Sequence, residues 1–498
     1  MAQARDDGHA ADDRTGGQRF DVAYSDLRDW IAEAEALGEL EVLTGVDWQE
    51  GIGAATELVS HSDTTPALLF DEIPGHAKGF RVLTNIFGGQ RKAMTLGFPA
   101  HYDKQALSNG FSEIYRPNDT LIPPAIVDTG PILDHVLEGD AVDLDIFPTP
   151  FWHPGDGGRY IGTGSFNLTR DPDSGWLNLG CYRVMLNDRQ SLSYNAGPGK
   201  HGRLHHQKYA ARGEHMPVAI VVGGDPLTFL LSGIEAPAEI SEYDIAGGMR
   251  GRPLELVRGR HTGLPFPANA EIVIEGFVDP EAVVPEGPFG DWTGTYTEAG
   301  RKRPLVRVSA IYHRKDPILL GFIPQSLPDE YSRFRAITRT AIVRRNIEAS
   351  GIPGIAGVWC HEVGGARMLT VVAIEQRHPG HARQAGHIAC QCHAGAYGGK
   401  WVIVVDDDID PSNLDEVIWA ALTRSDPVTS TDFIRGAWTS PADPRIPPEQ
   451  RAAGDITNSR MIIDACIPFH WRDRFPASSR PTPEQRAAAR ARFGHLLR

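Results

Sequence analysis

The stretch AEIVIEGFVDPEAVVPEGPFGDWTG, residues 270–294, decides how the rest of the chain is read. Its first part, AEIVIEGFV, carries the β-branched alternation of a strand with a buried face. A loop and an acid-bearing turn follow, in which Glu286 and Asp291 flank a Gly-Pro-Phe-Gly insert beside Trp292. Pro288 and the two glycines fix this backbone, so both acids can face one pocket. Two nearby carboxylates in a partly apolar site repel, and one then keeps its proton near neutral pH. A proton donor beside an anchored anion results. A rigid surface turn with ordinary acids fits the same residues, and the turn alone does not separate the two readings.

Around this stretch, from about 140 to 315, YIGTGSFNLT (160–169), YRVMLND (182–188), MPVAIVVGG (216–224) and PLVRVSAIYH (304–313) read as further strands. With one helical insert, HGRLHHQKYAARGE (201–214), they predict a barrel-like antiparallel domain. Upstream, SDLRDWIAEAEALGEL (25–40) predicts a helix capped by Ser25, ended at Gly38 and burying Leu27, Trp30, Ile31, Ala34 and Leu37. PALLFDEIPG (66–75) and FRVLTNIFGG (80–89) add short strands. Downstream, a helical connector at 330–351 leads to strands in RMLTVVAIEQ (367–376) and KWVIVVDDDID (400–410) alternating with helices, hence another α/β unit. TPEQRAAARARFGHLL (482–497) predicts an amphipathic helix able to pack on a neighbouring subunit. The expected layout is a disordered tail 1–18, an α/β domain 19–125, a barrel domain 126–318, a connector 319–350 and a C-terminal α/β domain 351–498.

Composition sets the class. The 498 residues are 41% hydrophobic and 23% charged, a globular balance. A net charge of -15 argues against nucleic-acid binding. Five cysteines in a chain this long form no disulfide framework and suit a reducing compartment. Without an apolar signal-like start or a membrane-length apolar run, a cytoplasmic protein is expected.

Several side chains are candidates for chemistry. In GWLNLGCYRVML (175–186), Arg183 on an apolar strand needs an anionic partner if buried: the turn acids or a substrate carboxylate. It can also snorkel from a strand edge. His201 and His205 are spaced i, i+4 but lack the glutamate of a HExxH zinc site. Asn178, His201 and Glu242 would together suit a harder ion, manganese or magnesium. Cys390, Cys392 and His393 read as buried thiols rather than half a zinc knuckle, and Asp406, Asp407 and Asp408 as helix caps. No dinucleotide or Walker loop stands in a strand–helix context.

Taken in order, DLRDWIAEAEALGEL, PALLFDEIPG, VLTNIFGG, GWLNLGCYR, LSGIEAPAEISEYDIAGGMRG, VPEGPFGDWTGTY and KWVIVVDDDIDPSNLDEVIWAALTR resemble the UbiD family of reversible decarboxylases. The resemblance covers nearly the whole chain after the tail. It implies an N-terminal α/β domain, a central split β-barrel that binds prenylated FMN, and a C-terminal α/β domain that dimerises. It also implies that Asn178, His201 and Glu242 hold a divalent ion, usually manganese, that binds the cofactor phosphate, with potassium nearby and Lys400 as a further phosphate contact. Arg183, Glu286 and Asp291 match the family's catalytic network: Glu286 holds Arg183, Arg183 anchors the substrate carboxylate, and Asp291 delivers the proton. Substrate is expected to be joined covalently to the cofactor, the adduct type staying open. The implied reaction is loss of carbon dioxide from an aromatic or heteroaromatic acid, with a flavin prenyltransferase as cofactor supplier and a homodimer or hexamer as the assembly. The polyprenyl-hydroxybenzoate enzyme of ubiquinone synthesis and an idle flavin- or metal-binding subunit are the alternatives. Segments 324–332 and 435–444 should finish the substrate pocket, with Trp438 or Phe433 as ring-stacking or merely packing residues.

Overall fold

The structure, a computed structural model, describes residues 22–234, 236–297 and 299–496; the expected tail at 1–18 lies outside them. Among the described residues the centre of the fold is a nine-stranded antiparallel sheet. Along its main path run Tyr160–Gly162, Arg183–Asp188, Ser191–Asn195, Arg301–His313, Ile272–Glu286, Met216–Val222, Ser165–Arg170 and Leu177–Gly180. His135–Glu138 pairs with Arg301–His313 off that path. The sheet curls into a half-barrel. Strand Leu177–Gly180 at one end is followed, after only Cys181 and Tyr182, by Arg183–Asp188 beside the other end. Asn167 fixes that crossing by donating its side-chain amide to the carbonyls of Gly180 and Tyr182, at 3.0 and 2.9 Å.

Residues 272–286, expected as a strand and then a loop, form one long strand paired from Ile272↔His313 to Glu286↔Arg301. The register breaks between Val278 and Val283, so the Pro- and acid-rich segment is absorbed as a bulge. Asp279 stabilises it by accepting the N–H groups of Glu281 and Ala282 at 3.0 and 2.8 Å.

On the N-terminal side, Leu40–Thr44, Ala67–Asp71 and Arg81–Thr84 form a sheet completed by Ile318–Leu320, which arrives from beyond the central sheet. The first helix spans Leu27–Ala36 and buries Leu27, Trp30 and Ala34; Leu37 stays 37% exposed. Its cap is Asp26, not Ser25. The Asp26 carboxylate takes the N–H groups of Arg28 and Asp29, while the Ser25 hydroxyl turns to the Asp29 carboxylate.

The helix Glu330–Ala349, started by an Asp329/Ser332 capping box, links the central sheet to a C-terminal one. There Ile355–Cys360, Leu369–Ile374, Trp401–Asp406, Thr457–Asp464 and Thr431–Trp438 lie in that order, with helices His381–Gln391 and Leu414–Arg424 in the connections. Asp406 and Asp408 are not helix caps. Both hold the buried Arg424, at 2.9 and 2.7 Å, and Asn413 caps the following helix.

Candidate active site

The acid-bearing turn is a braced structure. Gly287 sits at φ 90°, a conformation that a side chain would strain. Gly157 donates to the Pro288 carbonyl at 2.8 Å, and the Gly290 N–H donates to the Asp156 carboxylate at 3.1 Å. The Asp291 N–H reaches the Thr295 carbonyl at 3.0 Å. Asp291 and Glu286 therefore leave the turn in fixed directions.

Glu286, 1% exposed as a side chain, receives the Arg183 guanidinium at two points: Nε to Oε1 at 2.7 Å and Nη2 to Oε2 at 3.2 Å. The anionic partner anticipated for Arg183 is thus Glu286. The Tyr160 hydroxyl donates to Oε1 at 3.1 Å, and Asn195 and Arg303 stand 3.5 and 3.6 Å from Oε2. Burial pushes the Arg183 guanidinium down, but the Glu286 hydrogen bond and charge outweigh it and hold its pKa above the usual value. The Phe289 ring lies 4.9 Å from the guanidinium carbon. Among the described residues Arg183 Nη1 has no hydrogen-bond partner, so one donor edge stays open.

Arg183 and Asp291 line the same cavity of about 240 Å³, walled mainly by Phe87, Phe229, Phe289 and Phe322. Asp291 makes no direct ion pair with Arg183, and its carboxylate caps the N–H of Trp292 at 2.7 Å. Burial pushes the Asp291 carboxyl above its ordinary value, against the pull of Arg183. The cavity therefore combines an open guanidinium edge with an acid inclined to keep its proton. Of the segments expected to finish the pocket, the first contributes Pro324 and Tyr331. The second contributes nothing to the lining: Trp438 and Phe433 are 58% and 66% exposed.

A second cluster lies at the strand crossing. Asn178, 2% exposed, faces His201 at 3.2 Å between Oδ1 and Nδ1. Glu242, also 2% exposed, takes the Leu179 N–H at 2.8 Å, and burial pushes its carboxyl up to about 8. Glu242 has no cationic side chain at ion-pair distance among the described residues, and a buried carboxylate without one fits a bound cation. The amide–imidazole–carboxylate set has the chemistry for a manganese- or magnesium-like ion. Among the described residues no group of three or more His, Cys, Asp and Glu side chains is placed to hold a metal, so an ion at this cluster would need the Asn178 amide as a ligand. His205 turns away from His201, to Thr169 at 2.9 Å and Asp171 at 3.6 Å. Lys400 is held in an ion pair with Asp443 at 2.9 Å.

Sequence reading missed Tyr160, Asn195, Arg335 and Arg367, and reached Tyr331 as part of the 324–332 segment. Only Phe289, inside the turn already singled out, carried a visible signal. Burial pushes the Tyr331 phenol up, yet Arg335 and Arg367 together hold it below the usual phenol range.

A half-barrel between two α/β sheets, with an open guanidinium edge and a half-buried acid at one aromatic cavity, is the arrangement of an enzyme site able to receive an anion. The particular family follows from comparison. Family models described as the 3-octaprenyl-4-hydroxybenzoate carboxy-lyase N-terminal, Rift-related and C-terminal domains match residues 31–107, 125–327 and 333–465. Pyrrole-2-carboxylic acid decarboxylase of Pseudomonas aeruginosa is 30% identical over 471 residues, covering 91% of this chain and 93% of that one. HmfF of Pelotomaculum thermopropionicum, a UbiD-class enzyme solved with FMN, superposes with a TM-score of 0.81 at 28% identity, over 92% of this chain and 98% of that one. Vanillic acid decarboxylase of Sedimentibacter hydroxybenzoicus gives 0.81 at 26% identity, over 95% and 99%. The chain belongs to the UbiD family and is a carboxy-lyase.

Proposed function

We propose that this enzyme removes carbon dioxide reversibly from a small aromatic or heteroaromatic acid, with prenylated FMN as cofactor. One observation carries the reading: Arg183, clamped by Glu286, and the buried acid Asp291 face a single aromatic-walled cavity. Its volume of about 240 Å³ suits a small ring better than a polyprenyl chain. Relatives that act on pyrrole-2-carboxylic and vanillic acids support the substrate class.

Glu286 engages Nε and Nη2 of Arg183 and so aims its remaining edge at the substrate carboxylate. The aromatic walls exclude water from the reacting carbon and strengthen that ion pair. When bound, the prenylated flavin supplies the electron sink for carbon–carbon cleavage. As the carboxylate leaves as carbon dioxide, Asp291 gives its proton to the carbon it leaves behind, so carboxylate plus proton becomes arene plus carbon dioxide. In the reverse direction Asp291 takes that proton back.

Asn178, His201 and Glu242 would hold a divalent ion, manganese or magnesium, that ties down the flavin phosphate, with potassium alongside. Lys400 would reach the phosphate only by exchanging its Asp443 partner. No helix among the described residues is long and apolar enough to cross a membrane, and a cytoplasmic homodimer or hexamer served by a flavin prenyltransferase completes the reading. The test is carbon dioxide release, after co-expression with a flavin prenyltransferase, from a panel of pyrrole, furan and phenolic acids beside a prenylated hydroxybenzoate. Turnover of the small acids is expected. Turnover of the prenylated acid alone would overturn the substrate class.

A further inference from the structure

Behind the catalytic turn stands a cation that the proposed reaction has not used. Arg367 comes from the turn between strands Ile355–Cys360 and Leu369–Ile374, in the C-terminal sheet. Its guanidinium carbon lies 4.7 Å from the Trp292 ring, 5.3 Å from Tyr397 and 6.0 Å from Tyr331. Among the described residues its one side-chain hydrogen bond goes to the Tyr331 hydroxyl, at 3.3 Å, and Nε is sealed from solvent without a partner. No carboxylate neutralises it at ion-pair distance among the described residues. An ammonium or guanidinium withdrawn from water is ordinarily paired with an acid, and here aromatic faces do the holding instead.

The same turn presses on the same tryptophan. Gly365 lies so close that a Cβ there would come within 2.6 Å of the Trp292 ring. Gly398, from the segment before Trp401–Asp406, packs on both: its Cβ would sit 3.3 Å from the Arg367 stem and 3.7 Å from Trp292. Trp292 is the residue after Asp291, and the Asp291 carboxylate caps its N–H at 2.7 Å. The C-terminal sheet thus grips the neighbour of the buried acid and brings a positive charge with it.

The charges that face Asp291 can be named from each side. From the central sheet come Arg183, which pulls the carboxyl down more than Arg367 does, and Glu286, which pushes it up more weakly, the two paired with one another at 2.7 Å. Tyr331 faces it from the helix Glu330–Ala349, and His153 with Asp156, itself a pair at 3.1 Å, lies beside Gly290. Among the described residues Arg367 has no acid to balance it, and neither has Arg335, which lines the same cavity from the helix Glu330–Ala349, but it is Arg367 that packs on Trp292. We infer that Arg367 is a positioning residue that sets how readily Asp291 gives up its proton and makes that property depend on the C-terminal sheet being seated on Trp292. The attraction between Arg367 and Asp291 acts in the required direction, lowering the carboxyl against the rise caused by burial. Without it, Asp291 would hold its proton too tightly to take part in both directions of a reversible reaction.

The inference rests on the reading of Asp291 as the proton donor, and its test is chosen to separate the two. Infrared difference spectra of the native protein across pH follow the carboxyl band that disappears in Asp291→Asn. In Arg367→Met and in Arg367→Gln that band should persist to higher pH, by about one unit for loss of one nearby charge. Arg367→Lys should restore it toward the native position. The pH at which kcat declines on the alkaline side should move with the band, whereas a merely structural role would lower kcat without moving it. A band that titrates at the native pH in the neutral variants overturns the inference. A shifted band with turnover that survives in Asp291→Asn upholds the inference and removes the proton-donor reading.

Discussion

Arg183 and Glu286, 103 residues apart in the chain, meet in a two-point ion pair with Nε–Oε1 at 2.7 Å and Nη2–Oε2 at 3.2 Å. Each comes from a strand of the half-barrel, and Glu286 stands at the end of the longest one. The pair is buried on the Glu286 side and open to the cavity on the Arg183 side. The sealed side bears on stability, and the open side is the one that the proposed function assigns to the substrate carboxylate.

Removing one partner should be costly. Arg183→Ala leaves the buried Glu286 carboxylate with Arg303, 3.6 Å away, as its remaining cation, a loss approaching the roughly 3–5 kcal/mol of a broken buried pair. Thermal unfolding of the apo protein should show a clear fall in Tm. Glu286→Gln keeps the shape but leaves the Arg183 guanidinium without its carboxylate, so Tm should fall here too, by less because Arg183 stays open to the cavity, and most turnover should be lost because Arg183 is no longer aimed.

Asp291→Asn should cut turnover by about 10²- to 10⁴-fold, the usual contribution of a positioned general acid. Bound flavin, read by absorbance, should be retained. Full activity in this variant would remove Asp291 from the mechanism.

A pH effect on stability follows from the same residue. Its folded-state pKa is raised by burial, so the folded protein keeps that proton where the unfolded chain has lost it. The contribution to stability is present below the ordinary aspartate value and is lost as pH rises through the raised one. The neutral Asp291→Asn side chain escapes this loss. Its Tm relative to native should therefore improve as pH increases from acid to neutral, in scans at matched salt.

His201→Ala should lose divalent metal and flavin together, measured by elemental analysis and absorbance of the purified protein. A variant with full occupancy of both would refute the metal assignment. Lys400→Ala is the companion test: loss of flavin would establish a phosphate contact made by leaving Asp443, and retention would confine Lys400 to that ion pair.

The sequence by itself determined the elements and much of the chemistry. Apolar, β-branched runs such as 216–222 and 304–313 became strands, the first of them buried along nearly its whole length. The spacing of Leu27, Trp30 and Ala34 likewise committed a helix. The acids of the 285–294 turn and the arginine of the 182–188 strand were visible as unusual residues in stiff or apolar settings. Only the tertiary structure decided which of them meet. Arg183 chose Glu286 over Asp291 because the half-barrel's curl brings its strand beside the end of the long hairpin, a pairing no local pattern encodes. Tyr160 and Arg367 were illegible for the same reason: each is ordinary in its own segment. Their roles arise from packing between segments far apart in sequence, where burial and uncompensated charge, rather than residue type, set the chemistry.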